Sequence, residues 1–340
     1  GAGISGRMAG YPKIISFDMG GTSTDVSRYD TSPDYCFELE VGGARINSPA
    51  LNIETVAAGG GSICSYNGFK LSVGPESAGA MPGPACYGAG GPLTLTDVNL
   101  LAGHLDPARF NIPVYPEAAQ HRLDEIADAI TQKTGNKADP GALLRGFLRI
   151  ANETMAGAIR KISTARGYAP GDYAMVAFGG AGGMHACGIA GLLQIRTVLI
   201  PENAGILSAY GLGKASLERF AEKQVLAPLE DFADLESEFK KLESEAVCSL
   251  VKEGISEMET MIRSRKLFLR LEGQESSIEV EWSSKNQALS DFRKAYEAMY
   301  GHWNPDRSIE LESMRVVASE REEQGSGIVH DKASIINDII

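Results

Sequence analysis

The sequence predicts an α/β fold, in which a mixed β-sheet carries helices on its faces, followed by a smaller α+β domain. Two patterns lead to this prediction. Three strand-like runs separated by turn residues come first, and after a long glycine-rich insertion helices and strands alternate along the chain. Beyond residue 216 glycine becomes sparse and charged residues become frequent. We therefore expect one domain at residues 1–216, a second at 217–320 and a polar tail at 321–340.

The first strands are predicted to form a hairpin. The apolar run "KIISF" (residues 13–17) is followed by a glycine pair, and alternation resumes in "DVSRYD" (residues 25–30). "YCFELEV" (residues 35–41) also alternates and is predicted to add a third antiparallel strand to the sheet.

Residues 42–116 form a glycine-rich insertion that is not a low-complexity segment. Within it, "SICSYNGFKLSV" (residues 62–73) places Asn67 and Gly68 between two alternating runs, which predicts a second hairpin. The insertion separates the three strands from the helices that follow.

Helices and strands alternate after the insertion. An amphipathic helix is predicted at residues 117–134. The next helix has Asp139 as its N-cap and apolar residues spaced by three and four, and it is expected to end before Gly167. "YAMVAF" then predicts a buried strand, "GGAGG" a tight turn, residues 184–193 a helix and "RTVLIP" a further strand.

The second domain shows a different pattern. A charged amphipathic helix is predicted at residues 229–252 and another helix at 285–300. Between them, "KLFLRLEG" and "SSIEVEW" are predicted to pair as strands, and "IELESMRVVASE" is predicted to close the sheet. This order of elements is typical of a small α+β domain.

Composition disfavours several classes of function. The 340 residues carry 44 acidic and 32 basic side chains, a net charge of -12, and contain no run of lysine and arginine, which disfavours binding to nucleic acid or to an anionic membrane. No apolar run is long enough to span a bilayer. The five cysteines are scattered and form no CxxC pair, which indicates reduced thiols in a cytoplasmic compartment.

The most informative stretch is "FDMGGTSTD" (residues 17–25), which joins the two strands of the first hairpin. Its glycine pair permits backbone conformations that expose consecutive amides to an anion, and three hydroxyl side chains follow. Asp18 could hold a magnesium ion or orient a water molecule beside a phosphate, whereas a plain glycine turn with a capping aspartate is the alternative. The candidate nucleotide-binding residues are Gly20, Gly21, Thr22, Ser23 and Thr24, and the candidate catalytic residues are Asp18 and Asp25.

Two more glycine clusters occur at predicted strand ends. "AFGGAGGMHA" (residues 177–186) follows a buried strand and opens a helix, so that a flat adenine or ribose could approach the backbone there. "VAAGGGSI" (residues 56–63) again joins an apolar run to glycines and a hydroxyl. Because glycine weakens a strand interior, three such turns are difficult to attribute to flexibility alone. The candidate residues are Gly179, Gly180, Gly182 and Gly183 for a nucleotide, and Gly60 and Gly61 for substrate or metal.

Side chains elsewhere allow both a functional and a structural interpretation. Asp97 and Asn99 in "TLTDVN" could ligate a metal or bind a polar substrate, or could cap a helix beginning at Val98. Cys86 lies in a proline-rich loop with no histidine beside it, which favours packing over nucleophilic chemistry. His185 is expected to start a helix rather than to act in catalysis.

These motifs together resemble the hydantoinase A / 5-oxoprolinase family of the actin-like ATPase superfamily, which also contains sugar kinases and Hsp70. The resemblance covers about residues 14–212 and rests on "FDMGGTSTDVS", "VAAGGGSI", "VGPESAGAMPGPACYG", "LTLTDVNLLAGHLDP" and "VAFGGAGGMHACGIA". It implies a ribonuclease H-like, actin-like ATPase half-domain at residues 1–216. It also implies that residues 17–25 are the second phosphate motif and residues 178–185 the adenosine motif, both facing one cleft.

Two positions depart from the family pattern. The family usually has Pro-Leu where this chain has Gly183 and Met184, which leaves the glycine turn intact but removes one rigid residue. His104 stands where the family commonly has arginine, and we assign no role to it.

The resemblance implies an ATP-dependent cyclic amidase that uses Mg²⁺ and phosphorylates the amide of a hydantoin or lactam, while a hydantoinase B-type subunit or domain completes hydrolysis. Two alternatives are the kinase-like subunit of an ATP-dependent ketone carboxylase, of the acetone carboxylase type, and a non-catalytic nucleotide-binding protein of the actin or Hsp70 type. Family members carry a further DxGGTFTD-type loop ahead of the motif at residues 17–25. We therefore expect this chain to be the second part of a longer protein and to be inactive alone.

Overall fold

The computed structural model describes residues 1–41, 44–110, 112–232 and 234–321. They divide into two compact units, Gly1–Gly213 and a second one that begins at Lys214, and each unit has its own hydrophobic core. The polar tail predicted at residues 321–340 lies outside the described residues except for Arg321.

The first unit alternates long helices with short strands after an initial run of strands. In chain order its elements are α1 (Ala2–Met8), β1 (Lys13–Met19), β2 (Thr24–Asp30), β3 (Ser32–Pro33), β4 (Tyr35–Val41), β5 (Ala44–Leu51), β6 (Ile53–Val56), β7 (Ser62–Tyr66), β8 (Leu71–Ser77), α2 (Leu95–Leu101), α3 (Pro116–Thr134), α4 (Pro140–Ile162), β9 (Ala174–Phe178), α5 (Gly182–Leu193), β10 (Val198–Leu199) and α6 (Leu207–Leu212). Short 3₁₀ helices lie at Ala85–Tyr87, Pro107–Arg109, Thr164–Arg166, Pro170–Asp172 and Ala204–Ile206.

The central sheet has the strand order β10-β9-β1-β2-β3, and β6 also pairs with β2. The first predicted hairpin is confirmed, because β1 and β2 are antiparallel and pair from Lys13 with Asp30 to Met19 with Thr24. β9 runs parallel to β1, and β10 runs parallel to β9, so that the sheet is mixed as predicted. The second predicted hairpin is formed by β7 and β8.

The third strand predicted for this sheet was assigned the wrong partner. Residues 35–41 do form a strand, but β4 pairs with β5 in a separate two-stranded sheet. The reason lies at β3, where Pro33 has no amide hydrogen and pairing with β2 stops after two residues. The remaining edge of β2 is taken by β6, which pairs with the first four residues of that strand.

Different helices cover the two faces of the sheet. Ile15, Phe17 and Met19 are fully buried in the main core, which includes residues of α4 and α5. Ile14 lies on the other face, in a cluster with residues of α1, β9 and α6. Because successive side chains of a strand alternate between faces, Asp18 lies on the same face as Ile14.

The longest helix follows its sequence signals at the start but not at the end. Asp139 caps α4 by accepting hydrogen bonds from the amides of Gly141 and Ala142. The helix ends at Ile162, earlier than predicted, and a 3₁₀ turn leads to Gly167, which has a left-handed φ of 82°. Gly167 therefore ends the 3₁₀ turn rather than the α-helix.

The second unit is an antiparallel sheet with the strand order β11-β14-β12-β13, packed with two helices around a core of its own. Its elements are β11 (Glu218–Pro228), α7 (Leu235–Lys252), β12 (Thr260–Leu271), β13 (Ile278–Glu281), α8 (Lys285–Tyr300) and β14 (Ile309–Glu320), with 3₁₀ helices at Leu229–Asp231 and Glu257–Glu259. The predicted bounds of α8 and β14 are confirmed, whereas β11 was not predicted. Of the helices that the structure describes, none has the length and apolar character needed to cross a membrane.

Candidate functional site

Three glycine turns meet at one edge of the central sheet. We name them the hairpin turn (residues 19–24), the middle turn (residues 58–62) and the helix-start turn (residues 178–183). β1 and β9 are parallel neighbours, with Asp18 opposite Phe178, so the hairpin turn and the helix-start turn leave the sheet side by side. The structure thus brings together the two turns that were expected to share a cleft.

The middle turn packs directly on the hairpin turn. The amide of Gly60 donates to the carbonyl of Gly20 at 3.0 Å, and the amide of Gly61 donates to the carbonyl of Gly21 at 2.6 Å. A Cβ at Gly59 would lie 2.6 Å from the backbone of Thr22, which is closer than any side chain tolerates. The fold itself therefore requires glycine at position 59.

The helix-start turn also packs on the hairpin turn. Gly179 has a left-handed φ of 81°, and a Cβ there would overlap the carbonyl of Met19 and lie 2.5 Å from Oδ1 of Asp18. The amide of Ala181 donates to the same Met19 carbonyl at 2.9 Å. Among the other candidate glycines of this turn, Gly182 is buried, whereas Gly180 and Gly183 are exposed.

Gly20 and Gly21 differ from the glycines that pack on them. Neither has a left-handed φ, so the expected nest of positive φ angles is not formed. A Cβ at Gly20 would come no closer than 3.9 Å to another atom, and a Cβ at Gly21 would meet nothing within 4 Å. Packing therefore does not explain glycine here, and a Cβ would instead cover backbone that an anion could approach.

The polar groups of the hairpin turn fall into two sets. Thr24 is buried and its hydroxyl donates to the carbonyl of Ala58 at 2.6 Å, so that it stabilises the turn and is not available to a ligand. Thr22 is exposed and Ser23 is half-buried. Within the described chain, their hydroxyls and the amides of Gly21 and Thr22 have no protein acceptor. These groups can donate to an anion.

Asp18, at the end of β1, is a half-buried carboxylate with a like charge across the strand pair. It lies opposite Asp25 in β2, and its Oδ2 accepts a hydrogen bond from the hydroxyl of Ser208 in α6 at 3.0 Å. Burial raises the pKa of Asp18 above its ordinary value; the Ser208 hydrogen bond opposes that rise and the charge of Asp25 adds to it. A cation placed here would stabilise the ionised form.

Asp25 extends the same row of polar side chains onto β6. Asp18, Asp25 and Thr55 are successive partners across β1, β2 and β6, and therefore share one face of the sheet. The hydroxyl of Thr55 donates to Oδ1 of Asp25 at 2.6 Å. Two carboxylates thus lie on adjacent strands at the base of the hairpin turn.

This arrangement fits a magnesium ion held together with phosphate. In the described part of the chain, no group of three or more His, Cys, Asp or Glu side chains could bind a metal by itself. Magnesium at nucleotide sites commonly takes one or two carboxylates and completes its shell with phosphate oxygens and water. Asp18 and Asp25 match that requirement, and the amides of the hairpin turn match the phosphate.

Asp97 lies in α2, and the protein satisfies its carboxylate completely. Oδ2 accepts from the amide and hydroxyl of Thr94, both at 2.8 Å, and from the amide of Ala85 at 3.0 Å, while Oδ1 accepts from the amide of Cys86 at 2.7 Å. The residue is fully buried. Of the two interpretations of Asp97, these contacts support the helix cap over a metal ligand, and the helix begins three residues earlier than predicted.

Asn99 belongs to a chain of hydrogen bonds that runs from the surface into the core. Its Nδ2 donates to Leu95 O at 2.9 Å and to Nε2 of His185 at 3.0 Å, and its Oδ1 accepts from Nδ1 of His104 at 2.9 Å. Nδ1 of His185 then donates to Oδ1 of Asn152 at 2.8 Å. Burial, followed by the nearby His104, lowers the pKa of His185 to about 4. His185 is therefore a neutral residue with structural partners, in α5 as expected.

Cys86 is fully buried at the end of the loop that Asp97 anchors. Burial raises the pKa of its thiol, and a hydrogen bond to the Asp97 carboxylate raises it further. A thiol held protonated in this way is a poor nucleophile, which supports the packing interpretation.

Three residues at the site were not identified from the sequence. Ser208 reaches Asp18 from 190 residues away along the chain, and no local pattern marks it. Asn152 contacts His185 from the middle of a long amphipathic helix, where it is one polar residue among several. Thr96 donates to Gly60 O at 2.9 Å from 36 residues further along the chain, and no local pattern marks that contact either.

Residues 1–220 match the hydantoinase/oxoprolinase family. The 5-oxoprolinase of Dictyostelium discoideum is 38% identical over 317 residues, which cover 89% of this chain and 25% of that protein. The alpha subunit of caprolactamase from Pseudomonas jessenii is 33% identical over 323 residues, which cover 89% of this chain and 45% of that protein. The chain therefore spans a quarter of the first relative and less than half of the second.

Two solved structures are similar to this one. The ATP-dependent caprolactamase from Pseudomonas jessenii has a TM-score of 0.84 at 29% identity, over 95% of this chain and 48% of that chain. Acetone carboxylase in its nucleotide-free form has a TM-score of 0.61 at 19% identity, over 94% of this chain and 48% of that chain. The predicted fold class is confirmed, and the second likeness, at its low identity, concerns the fold alone.

Proposed function

The chain belongs to the hydantoinase/oxoprolinase family, and from that premise we propose that it forms a nucleotide-binding part of an enzyme that uses ATP to open a small cyclic amide. Transfer of a phosphoryl group to the amide oxygen of a lactam or hydantoin makes the ring carbon a better electrophile. A hydantoinase B-type subunit or domain then completes the hydrolysis. The "alpha" in the name of the caprolactamase relative is in keeping with such a division of labour.

The observation that carries this proposal is the meeting of three glycine turns and two carboxylates at one sheet edge. The helix-start turn opens α5 with exposed glycines at positions 180 and 183, which suit the flat surface of adenosine. The hairpin turn, directly beside it, offers amides and hydroxyls that suit phosphate oxygens. One nucleotide could therefore contact both turns.

The free amides and hydroxyls of the hairpin turn have a definite task in this proposal. The amides of Gly21 and Thr22 donate to the phosphates, and the hydroxyls of Thr22 and Ser23 add two more donors. Bound Mg-ATP would supply the phosphoryl group that activates the amide. Such preorganised donors lower the barrier because they need no rearrangement as charge develops.

Asp18 and Asp25 would hold the magnesium ion. Ser208 fixes one oxygen of Asp18 by its hydrogen bond, while the other oxygen lies against Gly179 at the junction of two turns. Thr55 orients Asp25 in the same way from β6. Both carboxylates are therefore positioned by hydrogen bonds before a cation arrives.

A lactam is favoured over a ketone as the substrate. The relatives named above include a 5-oxoprolinase and a caprolactamase, both of which share at least 33% of their residues with this chain in the aligned region. The acetone carboxylase likeness, at 19% identity, supports no statement about chemistry. A non-catalytic role of the actin or Hsp70 type is disfavoured by the family match.

The test is phosphate release by the full-length protein with its partner, in the presence of Mg-ATP. Four additions would be tested separately: 5-oxoproline, hydantoin, caprolactam, and acetone together with bicarbonate. We expect phosphate release to rise with at least one cyclic amide and to match ring opening in amount. Release that depends on acetone and bicarbonate alone would favour the carboxylase alternative, and release without dependence on any of the four would count against an enzyme of this type.

A further inference from the structure

The helix α2 has only seven residues, yet its polar side chains reach two loops and the helix α5 around the proposed nucleotide site. The first contact is made by Thr96. Its amide and its hydroxyl both donate to the carbonyl of Gly60, at 2.8 and 2.9 Å. The amide of Gly60 in turn donates to Gly20 O. Two successive hydrogen-bonded steps therefore connect α2 to the hairpin turn.

The second contact is made by Asp97, one residue further along. Its carboxylate accepts the amides of Ala85 and Cys86, which close the loop of residues 78–87. The other end of that loop is tied to the middle turn, because the amide of Ala78 donates to Gly61 O at 2.9 Å. Asp97 thus fixes the end of the loop at residues 85 and 86, while its beginning at Ala78 is bonded to the middle turn.

The third contact is made by Asn99, which bonds to His185 in the helix that the helix-start turn opens. The same amide nitrogen also donates to Leu95 O, so that the side chain cannot be turned round. On its apolar face α2 buries Leu95 and Val98 completely in the main core. The helix that makes the three polar contacts is therefore itself held in place by the main core.

We infer that α2 holds the middle turn, the loop of residues 78–87 and the helix α5 in register, and that Thr96, Asp97 and Asn99 are positioning residues of the nucleotide site. None of them is assigned a contact with nucleotide or substrate. Their effect is to set the relative placement of the middle turn, the loop of residues 78–87 and the helix-start turn, since small misplacements at a reacting centre are costly. The expected effect on activity rests on the proposed function. The coupling between α2 and the three segments does not depend on it.

The coupling can be tested by amide hydrogen exchange on the full-length protein without nucleotide. Thr96→Val keeps the shape of the side chain and loses the hydroxyl, and we expect faster exchange in the middle turn. Asn99→Leu should accelerate exchange in residues 179–186 and leave residues 85–86 unchanged, whereas Asp97→Asn should do the reverse. A uniform increase in all three segments for every variant would overturn the inference, because it would indicate general loosening.

The consequence for function is tested with the same variants by titration with Mg-ATP and by steady-state rates. Thr96→Val and Asn99→Leu should raise the KM for ATP about tenfold and change kcat less, which corresponds to about 1.4 kcal/mol of binding. Thr96→Ser, which keeps the hydroxyl, should restore the wild-type KM.

A matched control is Asn52→Leu. Asn52 is nearly buried, and its Nδ2 donates to Oδ2 of Asp34 at 2.9 Å. The Asn52→Leu variant therefore also loses a side-chain hydrogen bond, but at the opposite end of β2 from the hairpin turn. It should lower the melting temperature as Asn99→Leu does and leave the KM unchanged. If Asn52→Leu raises the KM equally, the inference fails. If the wild-type protein does not bind ATP, the proposed function fails, and the exchange pattern alone then decides the role of α2.

Discussion

Asp18 and Asp97 lie near the same glycine turns but differ in how far the protein satisfies them. Asp97 is fully buried and accepts four hydrogen bonds from Thr94, Ala85 and Cys86. Asp18 is half-buried, its pKa is raised by burial, and it faces Asp25 across the strand pair. The fold alone explains the first carboxylate, whereas a bound cation would explain the second.

The glycines of the two regions show the same contrast. Gly59 and Gly179 have no room for a Cβ, because backbone atoms of the hairpin turn lie against them. Gly20 and Gly21 have room and ordinary φ angles. Some glycines of the site are thus required for the turns to pack, and the others leave open a surface on which a phosphate could bind.

The largest expected effect is on stability, at a glycine that packing requires. Gly59→Ala places a methyl group against the backbone of Thr22, and the turn must shift to admit it. We expect a loss of about 3 kcal/mol in the free energy of unfolding, measured by chemical denaturation. Gly157→Ala is the matched control, since a Cβ at that position of α4 meets nothing within 4 Å. Equal stability of the two variants would contradict the packing described here.

The next largest effect is on turnover, at Asp18, the carboxylate that the fold satisfies only in part. Asp18→Asn in the full-length protein should lower ATP turnover by about 10²-fold with only a modest loss of nucleotide affinity. The charge-matched control is Glu153→Gln, an exposed carboxylate on α4 paired with Arg160, which should keep wild-type turnover. Near-normal activity of Asp18→Asn would return Asp18 to the role of a turn residue.

The pH dependence of stability should report the buried His185. Its pKa of about 4 lies below the ordinary value of 6.5, so the unfolded chain binds the proton more readily than the folded one. The contribution of neutral His185 to stability is therefore fully present above about pH 7 and is lost as the pH falls through 6.5 towards 4. We expect a loss of about 2 kcal/mol between pH 7 and pH 5 from this group, measured by denaturation at each pH. His185→Gln should remove most of that slope, and an unchanged slope would show that other groups cause it.

A smaller effect is expected at a glycine that packing does not require. Gly21→Ala should leave the free energy of unfolding unchanged or slightly higher, because alanine restricts the unfolded chain. The added methyl group should nevertheless weaken Mg-ATP binding about tenfold, or about 1.4 kcal/mol, measured by titration calorimetry. Wild-type affinity in Gly21→Ala would mean that the phosphate does not approach this backbone.

The smallest effect separates stability from activity at Asp18. Removing a partly buried charge that faces Asp25 should stabilise the nucleotide-free protein, by less than about 1 kcal/mol given its exposure. The measurement is the melting temperature of Asp18→Asn against that of wild type. A clear fall in melting temperature would show that the carboxylate contributes to the fold as Asp97 does.

The sequence predicted the regular elements better than their partners. The bounds of α8 and β14 follow from local periodicity and capping, and both are confirmed. The pairing of β4 with β5 was not predicted, because a strand's partner depends on which edge is already filled. Pro33 was visible in the sequence, but its effect on the edge of β2 needs the register.

The sequence predicted the three backbone turns of the candidate site but not the hydrogen-bond partners of its side chains. Glycine clusters at strand ends identified all three turns, because they are contiguous in the chain. The contacts of Ser208 with Asp18 and of His185 with Asn99 join residues that are distant in sequence, so no local spacing reveals them. Asp97 was open to two interpretations until its four donors were known.

The most direct test of the central claim is amide hydrogen exchange of the full-length protein with and without saturating Mg-ATP. If the hairpin turn binds the phosphates, exchange should slow at residues 21–23 and at the helix-start turn, while the amides of Ala85 and Cys86, already bonded to Asp97, should not change. Separate titration would establish that ATP is bound under the same conditions. Bound ATP without slower exchange at residues 21–23 would contradict the assignment of the hairpin turn to the nucleotide.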